Sequence, residues 1–394
     1  MKKFITLALL LLCATLAEGA KPKLPKVVIE WDKPISIAKG GYARVHPMND
    51  GRLMCSYTGG GSGWICYSSD NGLTWTAPEK VISRFDVNTD KGAATVFISN
   101  PETLQLSPSN PSHPGRIIYC FNLRPKDNKS SVYPFSIGYV FSDDNGESWS
   151  PMTVNYSSDI WEEDKLKGCW EPFALELPDG TVQMYFSDET PYWRDGRHYQ
   201  NISLVESRDG GDSWGDVRIA CYSEKNRDGM PSAMIYEGNI YLCIETNDSE
   251  MKTRLHPQIM YNSLEDNWKE CVDGYSKRRF CPQRFSTEST EFTTGAPYLC
   301  RTENFFVMSF QSSEYGDIKD SKQRVCVVQA CPISEMKGQI FTTMRGDSKP
   351  IDVDVSEGEV KWNSVCPLGA DEIMACCQYN GVVTLVRGRI TTEQ

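Results

Sequence analysis

Cations are the minority charge in this 394-residue chain: 41 Lys and Arg face 52 Asp and Glu, for a formal net charge of −11. A chain with no basic surplus lacks the footprint that a phosphate backbone requires, which argues against nucleic acid as a partner. Histidine is scarce. The four present, His46, His113, His198 and His256, are scattered, and no C-x-x-C occurs, so neither a metal site nor any other cofactor is expected. Long apolar runs are also missing. No stretch reaches the roughly 18 uncharged apolar residues of a spanning helix, so no membrane span is expected.

Where the chain is rich, it is rich in turn formers and rings. It has 10 Trp, 18 Tyr and 15 Phe beside 30 Gly and 22 Pro, which suits many short strands joined by turns and contradicts a helical bundle. Lys2-Lys3, an apolar run from Phe4 to Leu16 and small residues near Gly19 read as a signal peptide over residues 1–19. The mature chain is then expected to be secreted or periplasmic. Leu12 argues against lipid attachment at Cys13. Seven of the other fourteen cysteines (Cys55, Cys66, Cys120, Cys243, Cys326, Cys376, Cys377) lie in apolar strand-like runs and read as small buried hydrophobes. Cys271 and Cys281, flanking a polar insertion, are the best disulfide candidates.

An internal repeat organises the chain. Ser68-Ser69-Asp70-Asn71-Gly72-Leu73-Thr74-Trp75 recurs as Ser142-Asp143-Asp144-Asn145-Gly146-Glu147-Ser148-Trp149 and as Ser207-Arg208-Asp209-Gly210-Gly211-Asp212-Ser213-Trp214, with a shortened fourth copy at Ser263 to Trp268. Each copy follows a β-rich run, so it lies on a turn where Ser and Asp can bond turn amides and Gly can take φ > 0. A second series of turn-then-strand segments runs Asp50 to Tyr57, Pro114 to Phe121, Asp179 to Phe186, Glu237 to Ile244, Asn304 to Phe310 and Glu372 to Cys377. That makes six units of about sixty residues, a comfortable length for four strands and their loops. The octamer resembles the Asp-box of the sialidase-like β-propellers. The resemblance implies an all-β, six-bladed β-propeller of four-stranded antiparallel blades, with the box between the third and fourth strands. One domain spanning residues 20–394 is expected, with residues 85–113 and 269–291 as surface loops. The ring must close to hide its edges. Lys26 to Trp31 is a spare strand and the last unit is one strand short, so the termini should complete one blade together.

Repetition in blade after blade marks the box as structural; a catalytic group should appear once, near the axis. Aligning the six second strands puts Thr58, Asn122, Ser187, Glu245, Gln311 and Gln378 at one depth, all polar and only Glu245 ionisable. Pairing with a nearby Arg would be the bland explanation for it. Glu171, in Cys169-Trp170-Glu171-Pro172-Phe173, should enter the same mouth from the neighbouring blade. Two carboxylates facing one cleft are the minimum for glycoside hydrolysis. Trp170, Trp64 and Trp193 offer faces for sugar stacking, although any one Trp serves equally as packing. Asp228 and Gln311 complete the expected substrate-binding set.

Trp170-Glu171-Pro172-Phe173, with Asp179-Gly180 and Tyr185 behind it, then Asp228-Gly229-Met230-Pro231 ahead of Gly238 and Glu245, resemble the exo-arabinanases of glycoside hydrolase family 93 over nearly the whole mature chain. That resemblance implies a retaining mechanism on terminal arabinose units, with Glu171 as acid/base and Glu245 as nucleophile. It would place Arg44, in Tyr42-Ala43-Arg44-Val45, in the pocket as a hydroxyl or carboxylate ligand. The competing reading is an exo-sialidase. Arg44 and Arg324 would then be two of three carboxylate-binding Arg, and Tyr379 or Tyr315 the nucleophile. Yet the hairpin Thr58 to Trp64 contains no acid Asp, and Pro257-Gln258-Ile259-Met260-Tyr261 lacks the expected Arg. A third reading is a propeller that binds glycan without cleaving it. A polysaccharide or glycoconjugate is the expected partner in every case, and a monomer is the default state.

Overall fold

The computed structural model describes residues 24–393 except 159–166, 196–198, 225, 248–254, 283–292, 316–323, 337, 342–343 and 354–357. The signal segment expected over residues 1–19 lies outside the described residues. Strand β1 (Lys26–Trp31) and β2 (Ile35–Lys39) lead into six antiparallel sheets. Blade one is β3 (Gly41–Pro47), β4 (Leu53–Gly59), β5 (Ser62–Ser68) and β6 (Glu79–Ile82); blade two is β7 (Phe85–Thr89), β8 (Gly92–Gln105), β9 (Ile117–Pro125), β10 (Ser136–Ser142) and β11 (Thr153–Ser157). Blade three is β12 (Cys169–Glu176), β13 (Val182–Asp188), β14 (Asn201–Ser207) and β15 (Arg218–Cys221); blade four is β16 (Gly229–Tyr236), β17 (Asn239–Thr246), β18 (His256–Ser263) and β19 (Arg279–Phe280). Blade five is β20 (Thr294–Arg301), β21 (Phe305–Ser312), β22 (Val325–Pro332) and β23 (Arg345–Ser348). Blade six is β24 (Val360–Pro367), β25 (Glu372–Tyr379) and β26 (Val382–Glu393), completed by β1 from the other end of the chain.

The first full strands of the blades, β3, β8, β12, β16, β20 and β24, touch one another in succession and line the axis. Apolar side chains on facing sheets fill the spaces between blades: Ile65, Ile98 and Tyr119 join blades one and two, and Cys55, Cys66, Met374 and Val383 join blades one and six. The seven cysteines read as core are all buried. Cys271, however, is a free thiol, so no disulfide joins it to Cys281. The ring closes where β1 pairs with β26, from Lys26 opposite Glu393 to Trp31 opposite Gly388.

Two segments expected to be loops carry strands. Residues 85–113 contain β7 and the innermost strand β8, whose Val96 and Ile98 are buried on alternate positions as a half-buried strand demands. Residues 269–291 contain β19, the outer strand of blade four.

The Asp-boxes lie between the third and fourth strands of blades one to four. In the three full copies the Ser hydroxyl donates to the Asp carboxylate at 2.7–2.8 Å and accepts the Gly amide at 2.7–2.8 Å, while the same carboxylate accepts the Thr or Ser amide at 2.8–2.9 Å. Hydrogen bonds led by the Thr74 and Ser148 hydroxyls pull the carboxyls of Asp70 and Asp144 down to about 2. The boxes also join blades. Arg116, buried at the head of β9, bonds Asp143 in its own blade's box and Asp212 in the next. In the shortened copy, Trp268 turns inward and donates its indole N–H to the Tyr185 hydroxyl at 2.8 Å.

Candidate active site

Every innermost strand breaks register once, leaving two residues opposite one. The first extra residue is left-handed each time: Tyr42 (φ 58°), Asn100 (51°), Glu171 (58°), Met230 (51°), Ala296 (51°) and Trp362 (52°). The second is Pro101, Pro172, Pro231 or Pro297 in four of the six blades, as befits a position outside the hydrogen-bond ladder. These bulges turn the chain at one level around the axis. Glu171 is the bulged residue of β12.

A bulge frees a backbone N–H, and a buried N–H needs an acceptor. The polar residues at the second-strand ends fill that need. Each of the six pairs with the residue just before its own blade's bulge. Four reach across to the next blade: Asn122 accepts the amide of Glu171 (2.6 Å), Ser187 that of Met230 (2.9 Å), Glu245 that of Ala296 (2.7 Å) and Gln311 that of Trp362 (3.2 Å). Four of the six polar residues of the mouth are thus inter-blade acceptors. Three of these four are neutral, so holding the amide does not require a charge. Glu245 alone brings one. Its close approach to the backbone depends on Gly295, where a Cβ would lie 2.7 Å from Oε2.

A cavity of about 550 Å³ opens beside these bulges, lined in part by Tyr42, Asn100, Trp170, Glu171, Arg227 and Trp362. Ser187 donates to Glu171 Oε2 at 3.3 Å. Burial, followed by the charge of Glu245, pushes the Glu171 carboxyl up to about 7, against the pull of Arg227. Burial raises Glu245 as well, opposed by the Ala296 amide, Arg227 and Arg324. Arg227 is held against the buried carboxylate of Glu189, so one anchored cation acts on both glutamates.

The remaining expected site residues are dispersed. Trp170 is in the cavity wall, its ring packed 4.6 Å from Phe135. Arg44 is not: it is 3% exposed, 3.6 Å from the buried carboxylate of Glu102, with its guanidinium 3.9 Å from the ring of Tyr42. A buried Arg must find its counter-ion, and Glu102, also bonded by His46 and Tyr298, supplies it. Asp228 is fully buried in a two-point ion pair with Arg279 (2.7 and 2.8 Å). Gln311 is consumed by the Trp362 amide, and Trp64 packs into the core between blades one and six while donating to the Gly59 carbonyl at 2.9 Å. Trp193 is in a short 3-10 turn, Thr190–Asp195, and its side chain lies outside the described residues. Sequence reasoning missed Arg124, Arg227 and Trp362. Extending the repeat alignment into the inner strands would have found Trp362, which occupies the same bulge position as Glu171. Among the described residues no three His, Cys, Asp or Glu form a group able to hold a metal.

Known proteins reproduce this architecture. An α-L-arabinanase of Penicillium chrysogenum, solved with arabinobiose, is 16% identical with a TM-score of 0.62, covering 91% of this chain and 98% of its own. An α-L-arabinofuranosidase of Fusarium graminearum, also with arabinobiose, is 16% identical with a TM-score of 0.59, covering 92% and 98%. The NanB sialidase of Streptococcus pneumoniae is 11% identical with a TM-score of 0.56, covering 92% of this chain and 70% of its own. At such identities the likeness is one of fold. No curated protein matches the chain. The BNR repeat-like domain family matches residues 43–281, which take in the four boxes and both glutamates, and the chain belongs to that family.

Proposed function

We propose that this protein is an exported, exo-acting glycoside hydrolase that removes a terminal sugar with retention, using Glu171 as acid/base and Glu245 as nucleophile. The observation that carries the reading is the unequal environment of the two carboxyls. Both are raised by burial, but the charge of Glu245 adds to the push that takes Glu171 up to about 7, while Glu245 is opposed by the Ala296 amide, Arg227 and Arg324, so Glu171 is the one placed to hold a proton. In the first step Glu171 would give its proton to the glycosidic oxygen as that oxygen leaves the anomeric carbon, and Glu245 would bond to that carbon. In the second, Glu171 as carboxylate would take a proton from water, whose oxygen would displace Glu245. Arabinan is the neutral glycan to try beside acidic ones, because two structural neighbours were solved with arabinobiose.

The test compares Glu171→Gln and Glu245→Gln on aryl glycosides and natural glycans. Loss of the acid is expected to cost about 10²–10⁴-fold on glycans with poor leaving groups. It should cost far less on a dinitrophenyl glycoside, which needs no protonation. Loss of the nucleophile should abolish turnover of both. Activity within a few-fold of the parent for Glu171→Gln on natural glycans, or for Glu245→Gln on either class of substrate, would remove the assignment.

A further inference from the structure

Arg227 in the cavity wall is already neutralised by Glu189, as are two buried guanidiniums that do not line the cavity, Arg44 by Glu102 and Arg279 by Asp228. Arg124 is different. It stands exposed near the end of β9 and lines the same cavity as Glu171, and no carboxylate among the described residues pairs with it. Its guanidinium carbon lies 5.4 Å from the centroid of the Trp170 ring in the next blade, a contact that biases it toward the cavity wall. A cation held by an aromatic face loses little freedom when an anion arrives.

Two further groups in the cavity wall lack partners. The Ser99 hydroxyl and the Trp170 indole N–H are both buried without a hydrogen bond. Ser99 is the cross-strand partner of Asn122, and Arg124 follows Asn122 by two positions, so Ser99 and Arg124 share one face of blade two. Asn122 on that face reaches the Glu171 amide, so the face is turned toward blade three. Fork, hydroxyl and indole are all donors. What they lack is an acceptor, and a planar anion answers the guanidinium fork best.

We propose that Arg124, assisted by Ser99 and Trp170, binds a sugar carboxylate, so that the glycans taken by this cavity carry uronic or sialic acid. The inference rests on the glycan-cleaving reading of the cavity, and the experiment separates the two. Binding is measured on the full chain bearing Glu171→Gln, which requires no turnover. The probes are trigalacturonic acid, 3′-sialyllactose, the methyl ester of each, and arabinotriose. One acid is expected to bind at least about tenfold tighter than its ester, as a charged hydrogen bond would provide. The margin should shrink as salt is raised. Adding Arg124→Gln should bring the acid to its ester's affinity, and Arg124→Lys should restore part of the difference. The acid that binds identifies the source of the carboxylate. Equal binding of acid and ester, no binding of either acid, arabinotriose binding as tightly as both, or a margin unmoved by Arg124→Gln would each overturn the proposal. Sugar release by the parent chain on the same probes is scored separately: acid-selective binding without release keeps the role of Arg124 and removes the hydrolase.

Discussion

Glu171 combines a left-handed backbone, a carboxyl pushed up to about 7 and an acidic neighbour. The backbone conformation costs about 1–2 kcal/mol for any residue with a Cβ. Five other positions share it, so it belongs to the bulge and not to the chemistry. The shifted carboxyl has a consequence for stability. An ordinary Glu titrates near 4.5, so between about pH 4.5 and 7 the native state keeps a proton that the unfolded chain has released. The contribution of Glu171 is complete below that window and fades as pH rises through it. Glu171→Gln cannot titrate, and its melting temperature should therefore gain on the parent's between pH 4.5 and 7. A constant offset in thermal melts would contradict the shift. The level of Glu245 was legible in the sequence, because the six second-strand ends align and it alone among them is ionisable. Arg227 was not, since a charged residue in a polar turn gives no signal until Glu189 is seen against it. Arg44 misled for a related reason: an Arg on an inner strand looks like a ligand unless its buried counter-ion, here 58 positions away, is known.

Strands and turns were legible where the pattern was local. The boxes were read correctly because one Ser, one Asp and one Gly within eight residues define a closed set of hydrogen bonds. Ser142→Ala removes a hydroxyl that both donates to Asp144 and accepts the Gly146 amide inside a buried turn. It should destabilise the protein by about 1–3 kcal/mol in denaturant titrations. Ser148→Ala, at an exposed position of the same box, should cost clearly less; equal losses would mean that the box is not organised as described. β8 was misread because Asn100-Pro101 and the Ser and Thr around it look like a loop, and the alternation of Val96 and Ile98 stops at the bulge. The bulge itself left a trace. Asn100-Pro101, Glu171-Pro172, Met230-Pro231 and Ala296-Pro297 recur at blade spacing and mark the axial level of the site.

Across the whole molecule, six blades held face to face leave only one seam made from two distant parts of the chain. β1 contributes Val27 and Ile29 to the core there, and its backbone covers the edge of β26. Deleting the chain through Trp31 should lower the melting temperature and cause association through the bared edge, read by light scattering. A peptide of residues 24–32 added in excess should reverse both effects; a truncated chain that stays monomeric and equally stable would show the seam to be dispensable. The number of blades and the shared last blade were legible because the repeats are of similar length. The level at which side chains meet the axis was not, because it depends on register. The seam also sets an order of assembly. Lys26 and Glu393 are 367 positions apart, so a growing chain can raise five blades while its first strand waits unmatched for its last. That final docking is a contact of high order, and is therefore expected to be slow.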